Sequence, residues 1–210
     1  MGNETPAKVR RPSQAERSAA TRAKVVSAAT QFIFENGYSA VSNAKVARAA
    51  GVSNGAMTHQ YPSHDDLMVA VVRSAYEKFH LDLDKALRKY SSAEALYQIP
   101  KILWKLMRGP EGIASLEILL ASRGNASLTK RLKRLAEDYD QFGRERMREL
   151  LRELLVISSP EDEARMAAME HLMVASIRGL AVEALNLKRG GYPELEIQLL
   201  IELFEAQVKN

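Results

Sequence analysis

The sequence has no cysteine, which excludes disulfides, thiolate metal sites and a cysteine nucleophile. It has no run of eighteen or so apolar residues, so no membrane span is expected. Its first residues are polar and basic, without the apolar segment that leads a secreted chain. These absences fit a cytoplasmic protein. No segment alternates strictly between apolar and polar residues, so no sheet is expected, and no internal repeat is visible. Of the four histidines, His59, His64, His80 and His171, none is paired with another ligand at zinc-site spacing on one helix face. There is no glycine-rich phosphate loop and no Gly-x-Ser-x-Gly elbow. The expectation is therefore no metal, no cofactor and no enzymatic activity.

What is present is a 210-residue chain that is 46% hydrophobic, enough to bury one large core or two small ones. The formal charge of +4 is unevenly placed. Residues 1–64 hold eight Lys/Arg against three Glu, whereas the remainder holds 22 against 23 acidic residues. The basic excess thus lies at the front of the chain, where an electrostatic footprint on phosphates would be sought.

That front end contains the most informative stretch, Ser42 to Leu67. It reads as a short helix, a tight turn, a second short helix and the start of a longer one. Val46, Ala47, Ala50, Val52 and Met57 fall where two small helices crossing steeply would meet. Gly51 follows the first helix and can take the left-handed conformation that stops it. Ser42 and Ser53 suit the two N-caps. The second helix keeps Asn54, Gly55, Thr58, His59 and Gln60 for its outer face, short or flat residues able to hydrogen-bond. This is a helix-turn-helix whose second helix could lie in a DNA major groove, although an ordinary helix pair in an all-α core has similar spacing.

Upstream, a helix is expected from Ser13 or Ser18 to Glu35, with Val25, Val26, Ala29, Phe32 and Ile33 as its apolar stripe and Gly37 closing it. Residues 1–12 have almost nothing to bury and are expected to form a disordered basic arm. Downstream, Tyr61-Pro62 ends the second short helix, and Ser63 with Asp66 caps a long one continuing to about Tyr90. Further helices are expected at about 93–107, 112–123, 127–156, 161–188 and 193–208, separated by Gly109-Pro110, Gly124-Asn125, Ser158-Ser159-Pro160 and Gly190-Gly191.

The segments TRAKVVSAATQFIFENGYSAVS (21–42) and VARAAGVSNGAMTHQYPSHDDL (46–67) resemble the N-terminal domain of the TetR family of transcriptional regulators. The order Ala-Ala-Gly-Val-Ser-x-Gly, then an aromatic-Pro-Ser and an acidic pair before leucine, carries the resemblance over about a quarter of the chain. It implies an all-α fold: a three-helix helix-turn-helix DNA-binding domain over 13–72 and a helical ligand-binding and dimerisation domain over 73–210. It also implies a homodimeric regulator, expected to be a repressor, that leaves double-stranded operator DNA when a small molecule binds. The candidate DNA contacts are Arg22, Ser42, Asn43, Lys45, Ser53, Asn54, Gly55, Thr58, His59, Tyr61 and His64.

Four of these positions depart from the family pattern. Thr58 stands where a tyrosine is usual, His64 where a lysine is usual, Asn54 where a basic residue is common, and Lys45 where an acidic one is frequent. Thr58 keeps a hydroxyl without the reach, and a neutral His64 lacks a charge. The alternative is accordingly a helical ligand-binding or scaffold protein with weakened or lost operator binding. In the larger domain Trp104, Met107, Phe142, Met169 and Met173 are candidate ligand contacts, although most residues at such helical spacing are simply core. Glu170, His171 and Arg178 share a helix and could face a ligand or a salt-bridged surface. The final helix has apolar residues on far more than one face, and the penultimate one is rich in Ala and Gly. The partner expected on the spare face is the same helix pair of a second copy.

Overall fold

The computed structural model describes residues 13–152, 159–186 and 193–208. The expected arm over 1–12 and the Gly190-Gly191 break lie outside them. Among the described residues there are helices and turns and no strand.

Local chemistry explains where the helices begin and end. Helix α1 (Gln14–Asn36) starts at Ser13, whose hydroxyl accepts from the Glu16 N–H while the Glu16 carboxylate accepts from the Ser13 N–H. The same reciprocal box, Ser63 with Asp66, starts α4 (His64–Leu87), and Ser91 with Glu94 starts α5 (Ser92–Met107). Between α1 and α4 lie the two short helices, α2 (Asn43–Ala49) and α3 (Asn54–Gln60), capped by Ser42 and Ser53. Gly109 precedes α6 (Pro110–Ala121), which carries proline at its first position, where a missing N–H costs nothing. Helix α7 (Ala126–Arg152) starts at Asn125, whose side chain accepts from the Leu128 N–H. Ser159 and Asp162 bond reciprocally at the start of α8 (Pro160–Asn186), and α9 (Glu194–Val208) closes the chain.

Two apolar cores follow. The first joins Val25, Ala29 and Ile33 of α1, Val46 and Ala47 of α2, Met57 of α3, and Leu67, Met68, Val71 and Val72 of α4. It does not stop there, because Ala114 and Ile118 of α6 and Leu128, Leu132 and Leu135 of α7 belong to it. Each fully buried Val, Leu, Ile or Met side chain among them contributes roughly 1.5–3 kcal/mol. Phe32, expected in this stripe, is only half-buried. The second core gathers Leu87, Ile99, Leu103 and Trp104 with Met173, Ile177, Ala181, Ile197 and Ile201. Helix α4 serves both cores without interruption, so the boundary expected at 72/73 falls inside a continuous helix.

Polar ties fasten α6 and α7 to the first four helices. The Glu117 carboxylate accepts from the Tyr38 N–H at 2.5 Å, Asn125 donates to Asp65 at 3.1 Å, and the Arg131 guanidinium lies 2.8 Å from Asp66. Together the Ser63 hydroxyl and the Arg131 guanidinium hold the Asp66 carboxyl below the usual carboxylate range.

Candidate nucleic-acid interface

The turn between α2 and α3 sets the geometry of the site. Gly51 has φ +65°, its N–H donates to Arg48 O at 3.1 Å, and the Val52 N–H donates to Ala47 O at 3.0 Å. That pair of bonds is a Schellman ending, which needs a left-handed residue at Gly51 and turns Val52 back onto the core. Val46, Ala47 and Met57, 2% exposed or less, lock the two short helices together and against α1 and α4. With one side fixed inward, α3 leaves Asn54, Gly55, Thr58 and His59 exposed. No atom lies within 4 Å of where a Cβ at Gly55 would stand, so the backbone there can be approached closely.

Around this face the expected residues divide into several groups. The Ser42 and Ser53 hydroxyls accept from the Lys45 and Ala56 N–H groups, and as caps they retain an O–H to donate outward. Arg22 is exposed and donates to Ser18 and to Gln60 Oε1 at 3.2 and 3.3 Å, which stations a cation where α1 meets the end of α3. Lys45 is exposed but folds back, donating to Ala40 O at 2.8 Å with its ammonium 5.8 Å from the Phe32 ring centre.

Tyr61 is only 7% exposed and its ring belongs to the first core. Burial raises its phenol above the ordinary value, with Arg22 pulling the other way, so the group is a neutral O–H donor at pH 7. His64 and Asn43 meet each other: Nδ1 lies 3.2 Å from Oδ1 of the Asn43 side chain, and the imidazole packs edge-on against Tyr38. This pair ties the start of α2 to the start of α4.

Gln60, expected on the outer face, turns toward α1 and accepts from the Ser18 hydroxyl at 3.1 Å. Sequence spacing held no signal for that bond, since the partner is 42 residues away. Five exposed cations, Arg17, Arg22, Lys24, Lys45 and Arg48, accompany this end of the molecule, against Glu16 and Glu35. The arrangement can donate hydrogen bonds and positive charge to a phosphate backbone while holding small polar groups toward base edges.

A second feature lies beyond the interface, a cavity of about 130 Å³ lined by α4, α5, α6, α7 and α8. Met107 and Met173 line it. Trp104, 1% exposed, is packed in the second core with the Arg108 guanidinium over its ring and does not line the cavity. Met169 is half-buried and also lies off its wall, and the Phe142 side chain falls outside the described residues. Glu170 and Arg178 face the cavity, whereas His171 is exposed. No group of three or more His, Asp or Glu among the described residues is placed to hold a metal ion, and no described helix is long and apolar enough to cross a membrane.

Comparison with known proteins places these features. Residues 25–71 match the family of bacterial regulatory proteins called the tetR family. The chain is 29% identical over 177 residues to the HTH-type transcriptional regulator CymR of Pseudomonas putida, covering 84% of this chain and 85% of that one. Its fold is similar to a tetR-family member from Streptomyces coelicolor A3, with TM-score 0.62 and 23% identity over 87% and 97% of the two chains. It is similar also to a Saccharomonospora viridis protein solved in complex with choline, with TM-score 0.67 and 18% identity over 89% and 96%.

Proposed function

The chain is a transcriptional regulator of the bacterial TetR family, and from that premise we propose that it is a homodimeric repressor released from operator DNA by a small molecule. The observation that carries this reading is the outer face of α3, where Asn54, Gly55, Thr58 and His59 are exposed while Met57 behind them is 1% exposed. A helix of this kind, backed by a rigid core and flanked by cations, suits the major groove. In this reading Arg22 and the Ser42, Ser53 and Tyr61 hydroxyls contact phosphates, and Asn54, Thr58 and His59 lie against base edges or the backbone. Lys45 and His64 serve the domain's own architecture first and phosphates second.

Dimerisation is supported by an apolar stripe that the chain leaves uncovered. Leu195, Leu199 and Leu203 recur every fourth residue along α9 and are 69%, 50% and 65% exposed. Ala168, Leu172, Ala175 and Gly179 form a matching exposed row on α8. Small residues there let a second helix approach, and a second copy covers both rows about a two-fold axis. The two recognition helices would then reach successive major grooves ~34 Å apart on a pseudo-palindromic site.

The cavity is the effector site in this account. A ligand preferring a state with the wrong spacing releases DNA, and DNA weakens ligand binding by the same factor. The alternative of a scaffold without operator binding predicts sequence-blind association. Fluorescence anisotropy on duplexes from the chain's own upstream DNA separates the two, alongside sedimentation of the free protein. Tight binding to one duplex that weakens steeply with salt supports the regulator. A salt-insensitive, sequence-blind signal, or a monomer at tens of micromolar, refutes it.

A further inference from the structure

The last residue of α3 ties side chains of two helices into one network. Arg22 Nη1 donates to Ser18 Oγ at 3.2 Å and to Gln60 Oε1 at 3.3 Å, and the Ser18 hydroxyl donates to the same Oε1 at 3.1 Å. On its other side the Gln60 amide meets the neighbouring residue, with Nε2 3.4 Å from Nδ1 of His59. Gln60 and Ser18 are half-buried, whereas Arg22 and His59 are exposed.

The chemistry of these groups leaves one arrangement of hydrogens. A guanidinium has donors and no acceptor, so the amide atom facing Arg22 must be the oxygen. Ser18 accepts from Arg22 and keeps its own hydrogen for that same oxygen. The amide nitrogen is then left toward His59, and it too has only hydrogens to offer. Nδ1 must therefore accept, which puts the hydrogen of a neutral imidazole on Nε2. With Nδ1 occupied by the amide, Nε2 is the nitrogen left for a partner, and it arrives as a donor.

On the reading of α3 as the helix that enters the groove, we infer that Gln60 is a positioning residue: anchored by Arg22 and Ser18, its amide holds the His59 ring as an Nε2–H donor, so that His59 takes an acceptor on the DNA, a phosphate oxygen or a purine N7. A cytosine amino group, itself a donor, is refused. The hydrogen-bond character of the recognition helix at His59 is thus set from α1, through a side chain committed to the protein.

Proton–nitrogen correlation NMR on the full chain at about pH 8, where a free imidazole is neutral, reads the tautomer directly, with the His59 signals identified by their loss in His59→Ala. The parent should carry the hydrogen on Nε2. Gln60→Glu keeps an oxygen toward Arg22 and sets a second oxygen, an acceptor, against Nδ1, so the hydrogen should move to Nδ1. A glutamine that only packs would leave the tautomer alone. Hydrogen on Nδ1 in the parent, or on Nε2 in Gln60→Glu, overturns the proposal.

Anisotropy on the tightest-binding duplex from the upstream DNA then finds the acceptor. Purines are replaced singly by 7-deaza analogues and phosphates singly by methylphosphonates. At one position the parent should lose about tenfold in affinity and His59→Ala nothing. A deaza position identifies N7, a methylphosphonate position identifies a phosphate oxygen, and no His59-dependent position in either series overturns the proposal. Arg22 retains Ser18 as a partner in Gln60→Met. That variant should therefore weaken binding about fivefold in the parent and less than about twofold where His59 is already alanine; equal losses overturn the proposal. The NMR arm needs no DNA. The expected tautomers in a chain that binds no duplex support the positioning of His59 by Gln60 and refute the regulator, whereas the opposite tautomers in a chain that binds one duplex tightly refute the positioning and support the regulator.

Discussion

Substitution of Gly51 separates backbone strain from every other effect, because the position is strained and yet empty. Its φ is +65°, and a Cβ built there meets no atom within 4 Å. A Cβ at this site therefore adds no clash and removes no contact; for alanine the cost is the left-handed conformation alone, about 1–2 kcal/mol. For a chain of this length each kcal/mol lowers Tm by roughly 2–4 °C. Gly51→Ala should thus lose roughly 2–8 °C in a thermal melt followed by circular dichroism. Asn tolerates the left-handed region and should lose less, and a β-branched valine should lose most.

Relief of the strain has a functional consequence, since it requires the α2–α3 turn to reopen and α3 to swing away from its fixed crossing. Gly51→Val should lower operator affinity more than tenfold in an anisotropy titration, while Gly51→Asn stays within about threefold. Sedimentation should find the proposed dimer intact in both, since the apolar stripe on α8 and α9 belongs to neither short helix. Equal Tm values for the Asn and Val variants, or an alanine variant as stable as the parent, would refute the strain argument.

Other perturbations test separate links. Arg22→Ala should weaken operator binding and flatten the dependence of log K on log salt by about 0.9 per lost phosphate contact, roughly two units for a dimer; an unchanged slope removes Arg22 from the interface. Gly112→Ala would place a Cβ 2.2 Å from the Met107 carbonyl oxygen, a backbone atom that cannot rotate aside, so α5 and α6 must separate. A loss of about 1–3 kcal/mol is expected in urea unfolding, with altered ligand binding because Met107 lines the cavity. Asp66 has a folded pKa below its unfolded one, so its stabilisation is complete above the ordinary carboxylate range and disappears as pH falls through the lowered folded value. Asp66→Asn should accordingly cost about 1 kcal/mol at pH 7 and progressively less as pH falls below the ordinary carboxylate range, as read from melts across that series; a cost independent of pH would refute the assignment.

The sequence by itself determined what depends on near neighbours. Ser13 with Glu16, Ser63 with Asp66 and Ser159 before Pro160 announce helix starts because a cap and its partner lie within one turn, and all three form as the residues suggest. Gly51 between two short apolar patterns announces the turn for the same reason. Tertiary structure alone decided what depends on distant partners. Nothing in the order of residues sends Gln60 to Ser18 and Arg22, or pairs His64 with Asn43 across 21 positions. Nor does it join Ala114, Ile118 and the leucines of α7 to the core of the first four helices. The cavity shows the same division: Met107 and Met173 line it while the similarly spaced Trp104 is plain core. Helical periodicity selects the side chains that turn inward, but whether an inward side chain meets a neighbour or an open space is fixed by how the helices cross.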